Sequence, residues 1–269
     1  MAQAFLITLR EGLEMALVVV IVLAYLKRTG RSNLFGRVWQ GVALATAVSF
    51  LGGAILFGLG RELDGRAEEI FEGTAMLLAV AALTWMVIWM KSQARHLRAQ
   101  LETQVEQALV GGSTIAIALV PFLAVVREGL ETALLIFGAA KTATPVATIS
   151  GCLAGLAVAI ILGWFLYRGT HTINLRIFFR STGVMLMIFA AGLLAHGIHE
   201  FQEAGLLPMF IEHIWNINSI IDENSAVGSF LKGIFGYNGD PSLLEIIVYP
   251  LYLGISLIYF LKPSGTLTS

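Results

Sequence analysis

The chain has 269 residues, of which 57% are hydrophobic and 13% charged, with a mean hydropathy of +0.80 and a formal charge of −1. That is more apolar surface than one soluble core can hide, and it arrives in long runs, so the composition describes a polytopic membrane protein. The scattered basic residues exclude a nucleic-acid role, and a single cysteine, Cys152, excludes an internal disulfide framework or a thiolate metal cage.

Seven stretches reach the roughly 20 apolar residues a spanning helix needs. The first, 4–26, carries the phrase R-E-G-L-E-M-A-L from Arg10 to Leu17. No basic residue precedes its apolar core, so it reads as a retained helix rather than a signal peptide. The second covers 38–60. The third, 70–90, is entered through Glu68, Glu69 and Glu72, and residues 91–112 read as an amphipathic helix on the cytoplasmic surface. The fourth, 114–138, contains a predicted kink at Pro121 and repeats the phrase as R-E-G-L-E-T-A-L from Arg127 to Leu134. In the fifth, 146–167, Gly151, Gly155, Ala159 and Gly163 recur every four residues, a ridge on which another helix can pack closely. The sixth, 178–200, ends in His196, His199, Glu200 and Glu203. The stretch 204–241 that follows is too long for a turn and is predicted to hold short helices on the outer face. The seventh, 243–261, starts with Ser242 and Glu245 as a capping box.

The Lys and Arg between spans set the orientation. Eleven fall on one side (Lys27, Arg28, Arg31, Arg37, Lys91, Arg95, Arg98, Arg168, Arg176, Arg180 and Lys262) and four on the other (Arg61, Arg66, Lys141 and Lys232). This places the N-terminus outside and the C-terminus in the cytoplasm. Glu62, Asp64, Glu68, Glu69, Glu212, Asp222, Glu223 and Asp240 then form an acidic outer mouth. With three spans between them, the two repeated phrases lie on antiparallel helices. The predicted fold is therefore all-α, with seven transmembrane helices in an inverted three-plus-three repeat and one added helix, an architecture with its site at the repeat interface. Within one membrane domain, 1–269, the first repeat is 1–90, the second 113–203, the external segment 204–241 and the last helix 242–262.

The spacing inside each phrase carries the chemistry. Residues three or four apart share a helix face, so Glu11 and Glu14 stand side by side with Arg10 one turn from Glu14, and Glu128, Glu131 and Arg127 repeat the pattern. Charge at bilayer depth is costly unless paired or hydrated, which makes these residues candidates for an ion pathway. Joined, the two helices would present four carboxylates and two guanidiniums, a set suited to a hard cation such as iron, manganese, magnesium or calcium. Ion pairing alone would account for one Glu on each helix. Gly12 and Gly129, between the acids, permit close helix approach or a locally opened backbone. Two further E-x-x-E pairs lie at the outer surface, Glu69 with Glu72 at the start of the third span and Glu200 with Glu203 at the end of the sixth, and read as a capture site. Glu200 and Glu203 stand beside His196 and His199, where a salt bridge is the alternative reason for the acids and interfacial hydrogen bonding the alternative role of the histidines. Acids in a helix's first turn are also stabilised by its dipole, an alternative reason for Glu68, Glu69 and Glu72.

A membrane carboxylate metalloenzyme is the rival class. Di-iron bundles use E-x-x-H pairs and zincins use H-E-x-x-H, and this chain has neither. The reading is thus a metal-ion transporter and not an enzyme, with manganese or another hard divalent cation as the alternative cargo.

Taken together, the two R-E-G-L-E phrases, F-E-G at Phe71–Gly73, H-E-F-Q-E at His199–Glu203 and Y-N-G-D-P-S at Tyr237–Ser242 resemble the oxidase-dependent iron permease family. The similarity extends along essentially the whole chain and points to the family's bacterial EfeU-type members. The resemblance implies high-affinity iron import, as Fe²⁺ or Fe³⁺, across the cytoplasmic (inner) membrane, with iron as transported substrate and no permanently bound cofactor. It implies the motif glutamates as iron ligands, and periplasmic or extracellular iron-oxidising or iron-delivering partners.

Overall fold

A computed structural model describes residues 1–93, 97–111, 114–141, 144–168, 175–211, 213–222 and 225–262. Of the charges used for orientation, Arg95, Glu212 and Glu223 lie outside the described residues, as do the side chains of Arg61, Glu62, Lys91, Arg98, Lys141 and Arg176. The side chain of Phe230, in the external segment, lies outside them too.

Each of the seven apolar stretches is helical: α1 (Ala2–Arg28), α2 (Phe35–Glu62), α3 (Arg66–Gln93), α5 (Thr114–Lys141), α6 (Pro145–Tyr167), α7 (Leu175–Glu203) and α9 (Leu243–Leu261). Among the described residues there are also two shorter α-helices, α4 (Leu97–Val110) and α8 (Ala226–Phe235), and a single 3₁₀ turn at Ser32–Leu34, and there is no strand. Five of the long helices are apolar enough to cross a membrane by length and composition; α1 and α5, interrupted by the charged phrases, are not among them. The surface is inside out relative to a soluble protein. Phe50, Leu51 and Ile55 on α2, Ile149, Leu153 and Ile160 on α6, and Leu251, Ile255 and Ile258 on α9 are exposed, whereas Arg10 and Glu11 are buried. Apolar side chains facing outward around buried charge make this a multi-pass membrane protein.

Helix pairing follows from small residues. The predicted ridge on α6 lies against α1: a methyl group on Gly155 would stand 2.5 Å from the Phe5 carbonyl oxygen and 2.9 Å from the Leu9 nitrogen, and Ala159 faces Gly12. The reciprocal pair is α2 with α5, where Gly129 faces Ser49 and Gly52 faces Leu130. Gly73 and Gly197 bring α3 onto α7. Close approach is thus the role of Gly12, since α1 runs through it as unbroken helix. Likewise α5 continues through Pro121, whose ring lies beside Gly41 of α2.

Two apolar clusters fill the interior. One joins Ile7, Met76, Leu83, Leu135, Leu186, Phe189 and Leu193; the other joins Val19, Val22, Leu26, Val38, Val105, Ile117 and Val125. Ile7 sits with Leu135, and Val22 with Ile117, so α1 and α5 run in opposite directions. Between the clusters, on both helices, fall the charged phrases. The α4 helix covers the second cluster with Val105, Ala108 and Leu109 and binds α1 through Arg28 to Glu102 at 3.3 Å, one face buried and the other exposed.

At the other end, the capping box of Ser242 and Glu245 opens α9 as predicted. The Ser242 hydroxyl also donates to Gln202 Oε1 at 2.8 Å, tying the start of α9 to the end of α7. The α8 helix is capped by Ser225 and ends at Gly236, whose φ of +67° favours glycine and whose backbone presses on Gly192 of α7.

The ridge generates a paired expectation. Gly155→Ala puts a methyl into backbone that cannot yield and should lower the thermal unfolding midpoint in detergent, as overpacking costs about 1–3 kcal/mol. Gly254→Ala on α9, with no atom within 4 Å of the new methyl, should leave it unchanged or raised, because alanine is the better helix former. Equal midpoints for the two variants would contradict the packing assigned to α1 and α6.

Candidate metal centre

The two phrases meet at mid-helix. Glu11 on α1 and Glu128 and Glu131 on α5 offer carboxylate oxygens that all lie within 4.8 Å of one another. Glu11 is fully buried, and neither of its oxygens has a hydrogen-bond partner, nor has one oxygen each of Glu128 and Glu131. Buried acceptors facing one another without donors are unstable by themselves; a proton shared between two of them, as between Glu11 and Glu128, or a bound cation satisfies them.

Each arginine binds the second glutamate of its own phrase, one turn on. Arg10 Nε is 3.2 Å from Glu14 Oε1, and Arg127 Nε is 3.1 Å from Glu131 Oε1 and 3.9 Å from Glu128 Oε1. The surroundings of the two differ. Arg10 is 1% exposed, whereas the Arg127 side chain is 44% exposed and lies over the Trp89 ring at 5.1 Å. The sequence copies are nearly identical and their environments are not. Of the four predicted central carboxylates, the structure brings Glu11, Glu128 and Glu131 into one triad and leaves Glu14 beside Arg10.

The outer residues divide in two. Glu68 and Glu69 occupy the first turn of α3, the place where the helix dipole stabilises acids, and Glu72 is buried one turn further in. On α7, His196 Nε2 is 3.7 Å from Glu200 and His199 Nε2 is 3.4 Å from Glu203. The outer end of α7 borders a cavity of about 340 Å³ between α7, α8 and the start of α9. His196, His199 and Glu203 line it with His213, Asp240 and Glu245, whereas Glu69, Glu72 and Glu200 do not.

A model of the iron permease FTR1 family matches residues 1–268. The chain belongs to that family. It is 40% identical over 261 residues to the ferrous iron permease EfeU of Escherichia coli O157:H7, covering 96% of this chain and 95% of the relative. The same identity and coverage relate it to ferrous iron permease EfeU of Shigella sonnei, and 37% over 265 residues to that of Yersinia pestis, covering 97% and 94%. No solved structure matches.

Two ion-pair contacts escaped the sequence reading, which had Glu245 as a helix cap, Asp240 in the acidic mouth and no role for His213. Glu245 is a helix cap and in addition lies 3.0 Å from His199 Nδ1, and His213 Nδ1 is 2.9 Å from Asp240. Asp240 and the Glu245 partner Asn238 both sit in the Y-N-G-D-P-S phrase, which was the available signal.

The unequal burial of the arginines has a measurable consequence. Arg10→Met strands Glu14 in the interior and should cost roughly 3–5 kcal/mol, the cost of breaking a buried pair. Arg127→Met removes a half-exposed charge and should cost about 1 kcal/mol or less. Thermal unfolding of both variants in detergent checks this, and an equal or inverted ranking would contradict the asymmetry.

Proposed function

We propose that the chain is a multi-pass permease that carries iron across the cytoplasmic membrane through the carboxylate triad between α1 and α5. The observation that carries this reading is that acids from both copies of the phrase, Glu11 from one and Glu128 and Glu131 from the other, converge within 4.8 Å with unpartnered oxygens. Oxygen donors of this charge suit a hard or borderline cation. Iron transport is the activity in the family's description, and the relatives are named as ferrous iron permeases. Glu14 supplies a fourth carboxylate, and Arg10 and Arg127 balance charge when no ion is bound.

The pairing pattern supports seven spans arranged as an inverted repeat. If α1, α2 and α3 correspond to α5, α6 and α7, then the pairing of α1 with α6 corresponds to that of α5 with α2, and α3 with α7 maps onto itself. A two-fold axis in the membrane plane has these properties. The domain limits, 1–90, 113–203, 204–241 and 242–262, follow from that arrangement. The basic connections place the N-terminus outside and the C-terminus in the cytoplasm. Glu69, Glu72, His199, Glu200 and Glu203 then belong to the outer end, where they concentrate cations before transport. The segment 204–241 is where a periplasmic iron-oxidising or iron-delivering protein hands over its ion.

Iron uptake into liposomes reconstituted with the purified chain tests the site. Glu11→Gln and Glu131→Gln each keep side-chain shape and remove a ligand charge. Each should reduce the maximal rate at least tenfold while the protein still inserts and elutes as the wild type. Near wild-type uptake in both would overturn the assignment.

A further inference from the structure

Just past the end of α7, residues 206–211 read L-L-P-M-F-I, a run without charge whose side chains are largely bare. Leu206 is 50% exposed, Phe210 69% and Ile211 47%. Leaving apolar surface in water costs about 25 cal/mol per Å², so a contiguous run of this kind marks a surface that something apolar covers. Its position is fixed by hydrogen bonds at both ends. Gly205, with a φ of +67°, turns the chain out of α7, and the Leu206 and Leu207 N–H groups donate to the Phe201 carbonyl at 2.9 and 3.1 Å. Buried Gln202 donates through Nε2 to the Pro208 carbonyl at 3.3 Å and accepts from the Ser242 hydroxyl at 2.8 Å. The Ile211 carbonyl accepts from the Leu243 backbone N–H at 3.1 Å. The segment is thus pinned to the first residue of α9.

The depth of that residue follows from α9 itself. Its 19 residues make about 28 Å of helix, close to the roughly 30 Å of a bilayer's hydrocarbon core, so Leu243 and Leu261 fall at the two edges. One face of α9 carries Ile247, Leu251, Ile255 and Ile258, all exposed, and Leu243 stands one turn before Ile247 on that face. The bond to Leu243 brings Phe210 and Ile211 to the edge at which this lipid-facing stripe begins. Exposed aromatic side chains mark both edges, as they do at membrane–water boundaries. Tyr259 lies in the last turn of α9, and Trp215 follows Ile214, whose N–H donates to the Pro241 carbonyl at 3.2 Å. Polar groups nearby have another use: His213 and Asp240, 2.9 Å apart, line the histidine chamber at the end of α7, whereas Phe210 and Ile211 do not.

We propose that residues 206–211 are an interfacial anchor, with Leu206, Met209, Phe210 and Ile211 immersed in the bilayer where headgroups meet acyl chains. Irregular backbone does not enter the hydrocarbon itself when lipid surrounds it. At the boundary, headgroups and their water serve its carbonyls while the side chains reach the acyl region. Lipid is the occupant because the patch adjoins the lipid-facing stripe of α9 at the level where that helix leaves the core. The anchor holds the external segment against the membrane surface. It rests on the membrane reading of the fold and is independent of the ion carried.

The full chain carrying Cys152→Ser and Phe210→Cys is labelled with a nitroxide and reconstituted in nanodiscs of phosphatidylcholine and phosphatidylglycerol. Power-saturation EPR compares relaxation by oxygen, which partitions into lipid, with relaxation by the water-soluble nickel complex of ethylenediamine diacetate. The oxygen-to-nickel ratio at 210 should be at least fivefold that of the free label in buffer, approaching the ratio at Ile255→Cys on the α9 stripe. Ile211→Cys repeats the measurement should Phe210→Cys fail to elute as the wild type. A ratio equal to that of the free label, as a surface reserved for a soluble partner would give, overturns the proposal. Protection from both reagents, the sign of a second copy of the chain packed there, overturns it as well.

Discussion

Carboxylates from two antiparallel helices held within 4.8 Å of one another, inside an apolar bundle, are the constraint on which the structure turns. Like charges at that distance in low dielectric repel strongly, so the arrangement leans on the arginines beside it, buried Arg10 most, and on helix packing that does not allow retreat. Arg10 and Arg127 supply the first condition through pairs at 3.2 and 3.1 Å. The glycines supply the second. Gly12 against Ala159 and Gly129 against Ser49 press each charged helix onto a partner from the other half of the chain, so neither can shift without breaking backbone-level contact. In the proposed function, iron supplies the charge that neutralises the set.

The surroundings separate this layer from water at one side. Toward α8 and α9, the cluster of Ile7, Met76, Leu135 and Leu193 lies between the triad and the histidine chamber. The difference between buried Arg10 and half-exposed Arg127 shows that the two sides of the site are not equivalent in this conformation. On the proposed inverted repeat, a transporter alternates by exchanging such environments between its halves, and the asymmetry between the nearly identical phrases corresponds to one state of that cycle.

Much of this was legible in the chain. The seven apolar stretches became helices, the last with its bounds unchanged and the others longer by a few residues at one or both ends, because flanking polar residues such as Arg28 and Glu203 extend a helix without being apolar. The small-residue ridge on α6 announced a close partner, and its period of four gave the face. The doubled phrase marked the carboxylates that the two helices bring together. Three-dimensional asymmetry was not legible: nothing in R-E-G-L-E distinguishes an arginine that will be sealed from one that will be open, nor separates Glu14 from the triad. The chamber was hidden for a different reason. His199, His213, Asp240 and Glu245 are brought together by the path of the external segment, held by backbone contacts such as Ile217 N to Gly239 O at 2.9 Å, and no local periodicity encodes such a path. Glu245 satisfied one sequence rule as a helix cap, which concealed its second use.

Where the ion sits can be seen directly. Anomalous difference density collected at the iron absorption edge from iron-loaded, transport-competent protein should show a peak between α1 and α5 within coordinating distance of Glu11, Glu128 and Glu131. Iron found only elsewhere, with that triad vacant in protein that still transports, would contradict the central assignment.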